Sequence, residues 1–88
     1  MQLAQVVGTV VSTRKEDALI GQKLLILEVL NPRSNSASGE MLVAIDILGA
    51  GIGETVLIAR GGAARINLPA ATPVDARVIG IVDTMDVR

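Results

Sequence analysis

The segment Lys23–Leu30, KLLILEVL, limits the possible folds of this chain more than any other stretch. Along an extended strand, Leu25, Leu27 and Val29 point one way, and Leu24, Ile26 and Leu30 point the other. Both faces are apolar. A sheet of this kind is ordinarily covered by helices on both sides. The rest of the chain has little helix to offer, so the second face needs another solution.

Four more segments read as strands. Gln2–Thr13 is rich in β-branched residues, and Gly8 inside it signals a bulge or a tight barrel bend. Met41–Leu48 and Thr55–Arg60 flank a glycine-rich turn, and Ala76–Thr84 is the last strand, with Gly80 at its centre. Arg14-Lys15-Glu16-Asp17 opens a charged loop ending at Gly21, either solvated or the polar rim of an interface. Asn31–Glu40, NPRSNSASGE, reads as a mobile polar loop. Gly61–Asn67 fits a helix of one or two turns, stopped by Asn67 and Pro69, and Leu68–Val74 is an extended linker. Five short strands and one late helix make a single all-β domain over residues 1–88, a small OB-like barrel. The barrel interior takes one face of each strand. Part of the other face must meet something outside the chain, and a homo-oligomer is the expected answer.

Composition narrows the function classes. Eighty-eight residues bury a modest core, and such small domains often need a staple. With no cysteine and no histidine, disulfides and the usual zinc or copper sites are excluded, which leaves oligomerisation or very close packing. The same lack removes the commonest catalytic bases and nucleophiles. A net charge of −1 and the absence of aromatics argue against nucleic acid, and no cofactor is expected. The N-terminus lacks a signal-peptide layout and no apolar run is long enough to span a membrane, so a cytoplasmic protein is expected.

The most distinctive motif is the turn Ile47-Leu48-Gly49-Ala50-Gly51-Ile52-Gly53-Glu54, with glycines on alternate positions. Glycine is needed where φ is positive or another backbone comes close. The neighbour is a phosphate, the chain's own core, or another copy of the loop. Gly49-x-Gly51 is similar to the start of a dinucleotide fingerprint, but Glu54 stands where its third glycine belongs and a strand follows instead of a helix. Arg60-Gly61-Gly62-Ala63-Ala64-Arg65 is a weak anion-site candidate without the lysine of a P-loop. Glu28, Asp46, Glu54, Asp75 and Asp83 are the carboxylates in or beside strands, read as salt-bridge or turn partners and not as an active site.

Several blocks together carry a resemblance. They are Gly8-Thr9-Val10-Val11-Ser12-Thr13 with Lys15; Leu19-x-Gly21-x-Lys23-Leu24-Leu25; and Val43-Ala44-x-Asp46. Gly49-Ala50-Gly51-x-x-Glu54-x-Val56-Leu57, Ala63-Ala64-Arg65, and Pro73-Val74-Asp75-Ala76-x-Val78-x-Gly80-Ile81-Val82-Asp83 follow in order. The chain thereby resembles the CcmL/EutN family of bacterial microcompartment vertex proteins, from the first strand to Asp83, with Asn31–Glu40 the least matched part.

The resemblance implies a non-enzymatic OB-type barrel assembled into a fivefold ring. Such rings cap the vertices of a polyhedral shell in the bacterial cytoplasm, among hexameric and trimeric shell tiles. It implies no cofactor and no metal. Gly49, Ala50, Gly51 and Ile52 become candidates for lining the fivefold axis. Thr13, Arg14, Lys15, Asp46, Arg65, Val74 and Asp75 become candidates for the subunit interface, with Asp46 or Asp75 pairing with an arginine of the next copy. The competing reading is an OB-like module binding a small ligand or oligonucleotide, which would normally carry aromatic and basic residues in its groove.

Overall fold

The computed structural model describes residues 1–69 and 71–88. Five strands form a closed barrel: β1 (Gln2–Val10), β2 (Lys23–Asn31), β3 (Ser36–Asp46), β4 (Thr55–Arg60) and β5 (Ala76–Ile81). Around the barrel they run β1-β2-β3-β5-β4, and β4 pairs back onto β1. All pairings are antiparallel except β3 with β5, which are parallel and paired only at Ile45 and Arg77. This short seam is the weakest part of the barrel wall.

Register puts one face of every strand inside. Ala4 lies opposite Val29 on one side and Val56 on the other, and Val6 lies opposite Leu27. Ala4, Val6, Leu27 and Val56 join Leu25, Ala44, Ala50, Ile58, Ala76 and Val78 in a fully aliphatic core. Closure works around two glycines. The β1–β2 register shifts between Val6 and Gly8, and the β4–β5 register shifts opposite Gly80, between Leu57 and Ile58. A Cβ on Gly8 would sit 3.3 Å from Ile26 Cδ1, so bulge and close approach coincide there.

Several expectations change. The first strand ends at Val10, not Thr13, and the last ends at Ile81, not Thr84. The expected polar loop Asn31–Glu40 is mostly strand: β2 and β3 run on beyond the barrel as a two-stranded ribbon, closed by a turn over 32–35. Asn31 Oδ1 accepts from Arg33 N, Asn35 N donates to Asn31 O, and Asn35 takes a positive φ. The expected helix over Gly61–Asn67 is a 3₁₀ helix, Gly61–Arg65. It ends before Asn67: the C-cap Ile66 is already extended, and Asn67 follows with φ at +64°. The segment read as an extended linker contains a turn instead, since Thr72 N and Oγ1 both donate to Pro69 O. Position 70 of that segment lies outside the described residues.

Candidate functional site

The glycine-rich turn joins β3 to β4. Its anchor is Asp46, the last residue of β3 and only 3% exposed. Asp46 Oδ1 accepts from Leu48 N at 2.8 Å and Oδ2 accepts from Ala50 N at 2.7 Å. Lys23 Nζ donates to Ala50 O at 3.0 Å. The second half of the turn is held by Glu54, whose Oε1 accepts from Gly51 N at 2.7 Å, while Glu54 N donates to Gly51 O. The turn is tied to β1 by Gly53 N to Val6 O and Val6 N to Glu54 O. Every turn amide just named has a protein acceptor, which leaves none of them for a phosphate.

Two of the three glycines are required by conformation. Gly49 and Gly53 have φ of +89° and +91°, and a Cβ at either would meet no atom of the chain within 4 Å. Gly51 has no positive φ, and its Cβ would lie 3.4 Å from Glu54 Oε1. Of the four axis candidates, Ala50 is fully buried in the barrel core, so its side chain lines no surface. Gly49 and Ile52 are exposed and Gly51 is half-buried; Ile52 projects the only side chain of these three.

The interface candidates fall into separate groups. Thr13, Arg14 and Lys15 are exposed on the arm that leaves β1. The arm is internally ordered, with Ser12 Oγ donating to Arg14 O and Lys15 Nζ donating to Ser12 O. Arg65, Val74 and Asp75 lie together: Arg65 Nη1 donates to Val74 O at 2.9 Å, and Gly61 N donates to Asp75 O at 2.7 Å. Asp75 itself is exposed. Asp46 belongs to neither group. Its burial and two amide donors occupy it inside its own chain, which corrects the cross-subunit ion pair expected of it.

The outer face of the barrel is apolar, as the two-faced strands require. Met41, Val43 and Ile79 are exposed on strands, and Val11, Ile20, Ile47, Leu48, Ile52 and Ile66 are exposed on the connections. Among the grooves formed by the described residues are two with largely apolar walls that lie on opposite sides of β5. One, of about 180 Å³, lies beside the β3–β5 seam between Leu19, Leu24, Val43 and the Pro73–Ala76 segment. The other, of about 530 Å³, lies between Met1, Ala59, Ala63, Ile66 and Ile79, with Arg60 and Arg77 at its edge. Sequence reasoning missed Val11, Leu19 and Pro73 as surface-shaping residues. The sequence places Val11 within the first strand, neither face of which is cleanly polar, whereas β1 ends at Val10 and Val11 is exposed on the arm that follows. Also missed was the Arg60 bridge, which reaches Glu40 at 2.8 Å and Gln2 Oε1 at 3.1 Å. Among the described residues no cluster of three or more carboxylates offers a metal site, and no helix is long and apolar enough to cross a membrane.

The sequence and the fold have close counterparts. The family described as "Ethanolamine utilisation protein EutN/carboxysome" matches residues 1–83. The chain is 48% identical over 88 residues to the carboxysome shell vertex protein CcmL of Synechocystis, covering 99% of this chain and 87% of the relative. It is 45% identical over 84 residues to the bacterial microcompartment shell vertex protein EutN of Escherichia coli K12, covering 94% and 87%. Among solved structures, the GrpN pentameric microcompartment shell protein from Rhodospirillum rubrum aligns with a TM-score of 0.90 at 41% identity, covering 100% and 99%. CcmL from Gloeobacter violaceus aligns with a TM-score of 0.91 at 44% identity, covering 99% and 90%.

Proposed function

The chain belongs to the EutN/CcmL family, and from that premise we propose that five copies close into a ring capping the vertices of a bacterial microcompartment shell. The observation that carries this reading is similarity along nearly the whole chain to proteins described as shell vertex proteins and as a pentameric shell protein. The apolar outer face gives the physical reason. A small aliphatic barrel that leaves this much apolar surface uncovered gains most by packing against copies of itself.

The work done is geometric. A lattice of hexagonal tiles alone stays flat, and a closed polyhedron needs pentagons at its corners. The ring therefore meets hexameric and trimeric shell tiles at its rim, inside the bacterial cytoplasm. No reaction is assigned to it. The chain has neither histidine nor cysteine, and the buried carboxylate, Asp46, is held as a turn anchor. Missing aromatics and a net charge of −1 disfavour oligonucleotide binding on the barrel.

Native mass spectrometry of the purified chain tests the ring. A homogeneous pentamer is expected, and a stable monomer at micromolar concentration would overturn the reading. Deleting the gene in its host is expected to give elongated or open shells by electron microscopy. Normal closed polyhedra would count against the vertex role.

A further inference from the structure

We infer that the ring closes by seating the Val11–Lys15 arm of each copy in the groove beside the β3–β5 seam of the next, with Val11 as the apolar plug and Arg14 facing Asp75. The inference rests on the ring reading above and adds which surfaces meet. A closed ring needs two unlike surfaces on every subunit, because a head-to-tail contact joins one patch to a different one. The arm and the groove are such a pair. The arm leaves the top of β1, beside β2, and the groove opens where β3 meets β5. Val10 lies opposite Leu24, and Leu24 opposite Ile45, so the arm starts one strand away from the groove and the two are unlike patches on adjoining parts of the barrel surface.

Shape and charge both match. Val11 is 89% exposed, the most exposed large apolar side chain among the described residues. The groove is aliphatic, walled by Leu19, Leu24, Val43, Ile45, Pro73 and Val74, and its volume of about 180 Å³ has room for a branched aliphatic side chain. At its mouth Asp75 presents an exposed carboxylate that forms no ion pair among the described residues. Arg14 is an exposed cation, likewise without an ion pair among them. Each would find in the other copy the charge it lacks in its own.

Both partners are also shaped in advance. Ser12 and Lys15 fold the arm through bonds of 2.6 and 2.9 Å. Arg65 and Gly61 pin the far wall of the groove through Val74 O and Asp75 O. Pre-ordering of this kind lowers the entropy lost on association. It also gives Arg65 a part in the contact without its touching the neighbour.

The absence of native cysteine makes a direct test clean. In the full chain, Val11→Cys combined with Val74→Cys is oxidised and run on a non-reducing gel. A covalent ladder up to five chains is expected, and each single variant is expected to give none. A chain that is pentameric by native mass spectrometry yet gives no ladder overturns the docking while leaving the ring intact. A wild-type chain that is monomeric overturns both. Independently, Arg14→Glu and Asp75→Arg are each expected to raise the concentration needed for pentamer formation at least tenfold, and their combination to recover most of that loss. Pentamer formation unchanged in both single variants overturns the pairing, as does a double variant no better than either single one.

Discussion

Gly53 occupies the third position of the Gly51–Glu54 turn, where a type II turn demands positive φ, and its φ is +91°. Nothing crowds the site within the subunit, so a side chain there is penalised by backbone conformation alone. Gly53→Ala is expected to lower stability by about 1–2 kcal/mol, the usual cost of a left-handed residue with a Cβ. Gly51→Ala, with no positive φ and only a 3.4 Å approach to Glu54 Oε1, is expected to stay within about 0.5 kcal/mol. Urea titration followed by far-UV circular dichroism gives both values, and equal losses at the two positions would show that φ does not separate them. Asp46 is the complementary case. Asp46→Ala leaves the Leu48 and Ala50 amides without their acceptors and is expected to cost about 1–3 kcal/mol, since at least the Ala50 amide is shut away from water. Asp46→Asn keeps one acceptor oxygen and is expected to lose less; an alanine variant as stable as wild type would remove the carboxylate from its place as anchor. The glycine spacing was plain in the sequence, but which glycine needs positive φ was not, because spacing carries no dihedral angles.

The strands show where sequence pattern speaks and where it is silent. Gly8, a glycine inside an apolar run, signals the β1–β2 register shift, and Gly80 lies opposite the β4–β5 shift, but the shift of the β2–β3 pair between Glu28 and Leu30 has no glycine in β2 to announce it. Thr55–Arg60 was legible to the residue, being an apolar run between turn residues. The outer half of β3 was not. Ser36–Glu40 are all exposed, so no alternation of apolar and polar residues could announce them. The late helix, expected as one or two turns, is 3₁₀: two glycines at its start and an extended C-cap at Ile66 leave too few residues for a longer α-helical run. The bulge in β1 invites a double-mutant cycle. Gly8→Ala is expected to cost about 1–2 kcal/mol through contact with Ile26 Cδ1, 3.3 Å from the new Cβ. In an Ile26→Val background, which lacks that atom, the cost is expected to fall by about 0.5 kcal/mol or more. Strictly additive losses would mean that the glycine answers to backbone geometry and not to its neighbour.

At the scale of the whole molecule, the isolated subunit exposes more surface than its size warrants. Its accessible area is 5524 Å², against roughly 4,900 Å² for a folded monomer of this mass. Its radius of gyration is 13.0 Å, where roughly 12 Å is usual for 88 residues. The molecule is 43 Å long, but an elongated shape does not explain why Val11, Val43, Ile66 and Ile79 face outward on the barrel and its connections. A core with no aromatic residue has little reserve, so assembly must supply part of the stability of each chain. Folding and association are then linked, and the urea midpoint of the wild-type chain is expected to rise with protein concentration, the unfolding free energy growing by roughly 2 kcal/mol per chain for a hundredfold increase. Two variants separate the contributions. Leu27→Ala, at a fully buried position, is expected to lower the unfolding free energy at every concentration by about 2–5 kcal/mol, and the midpoint with it, while the dependence remains. Val11→Asp, at an exposed position, is expected to flatten the dependence and leave the value at the lowest concentration almost unchanged. A wild-type midpoint independent of concentration, in a chain that is pentameric before urea is added, would mean that the ring dissociates before the barrel unfolds, that the barrel is stable alone, and that its apolar surface serves closure of the shell and not the survival of the subunit.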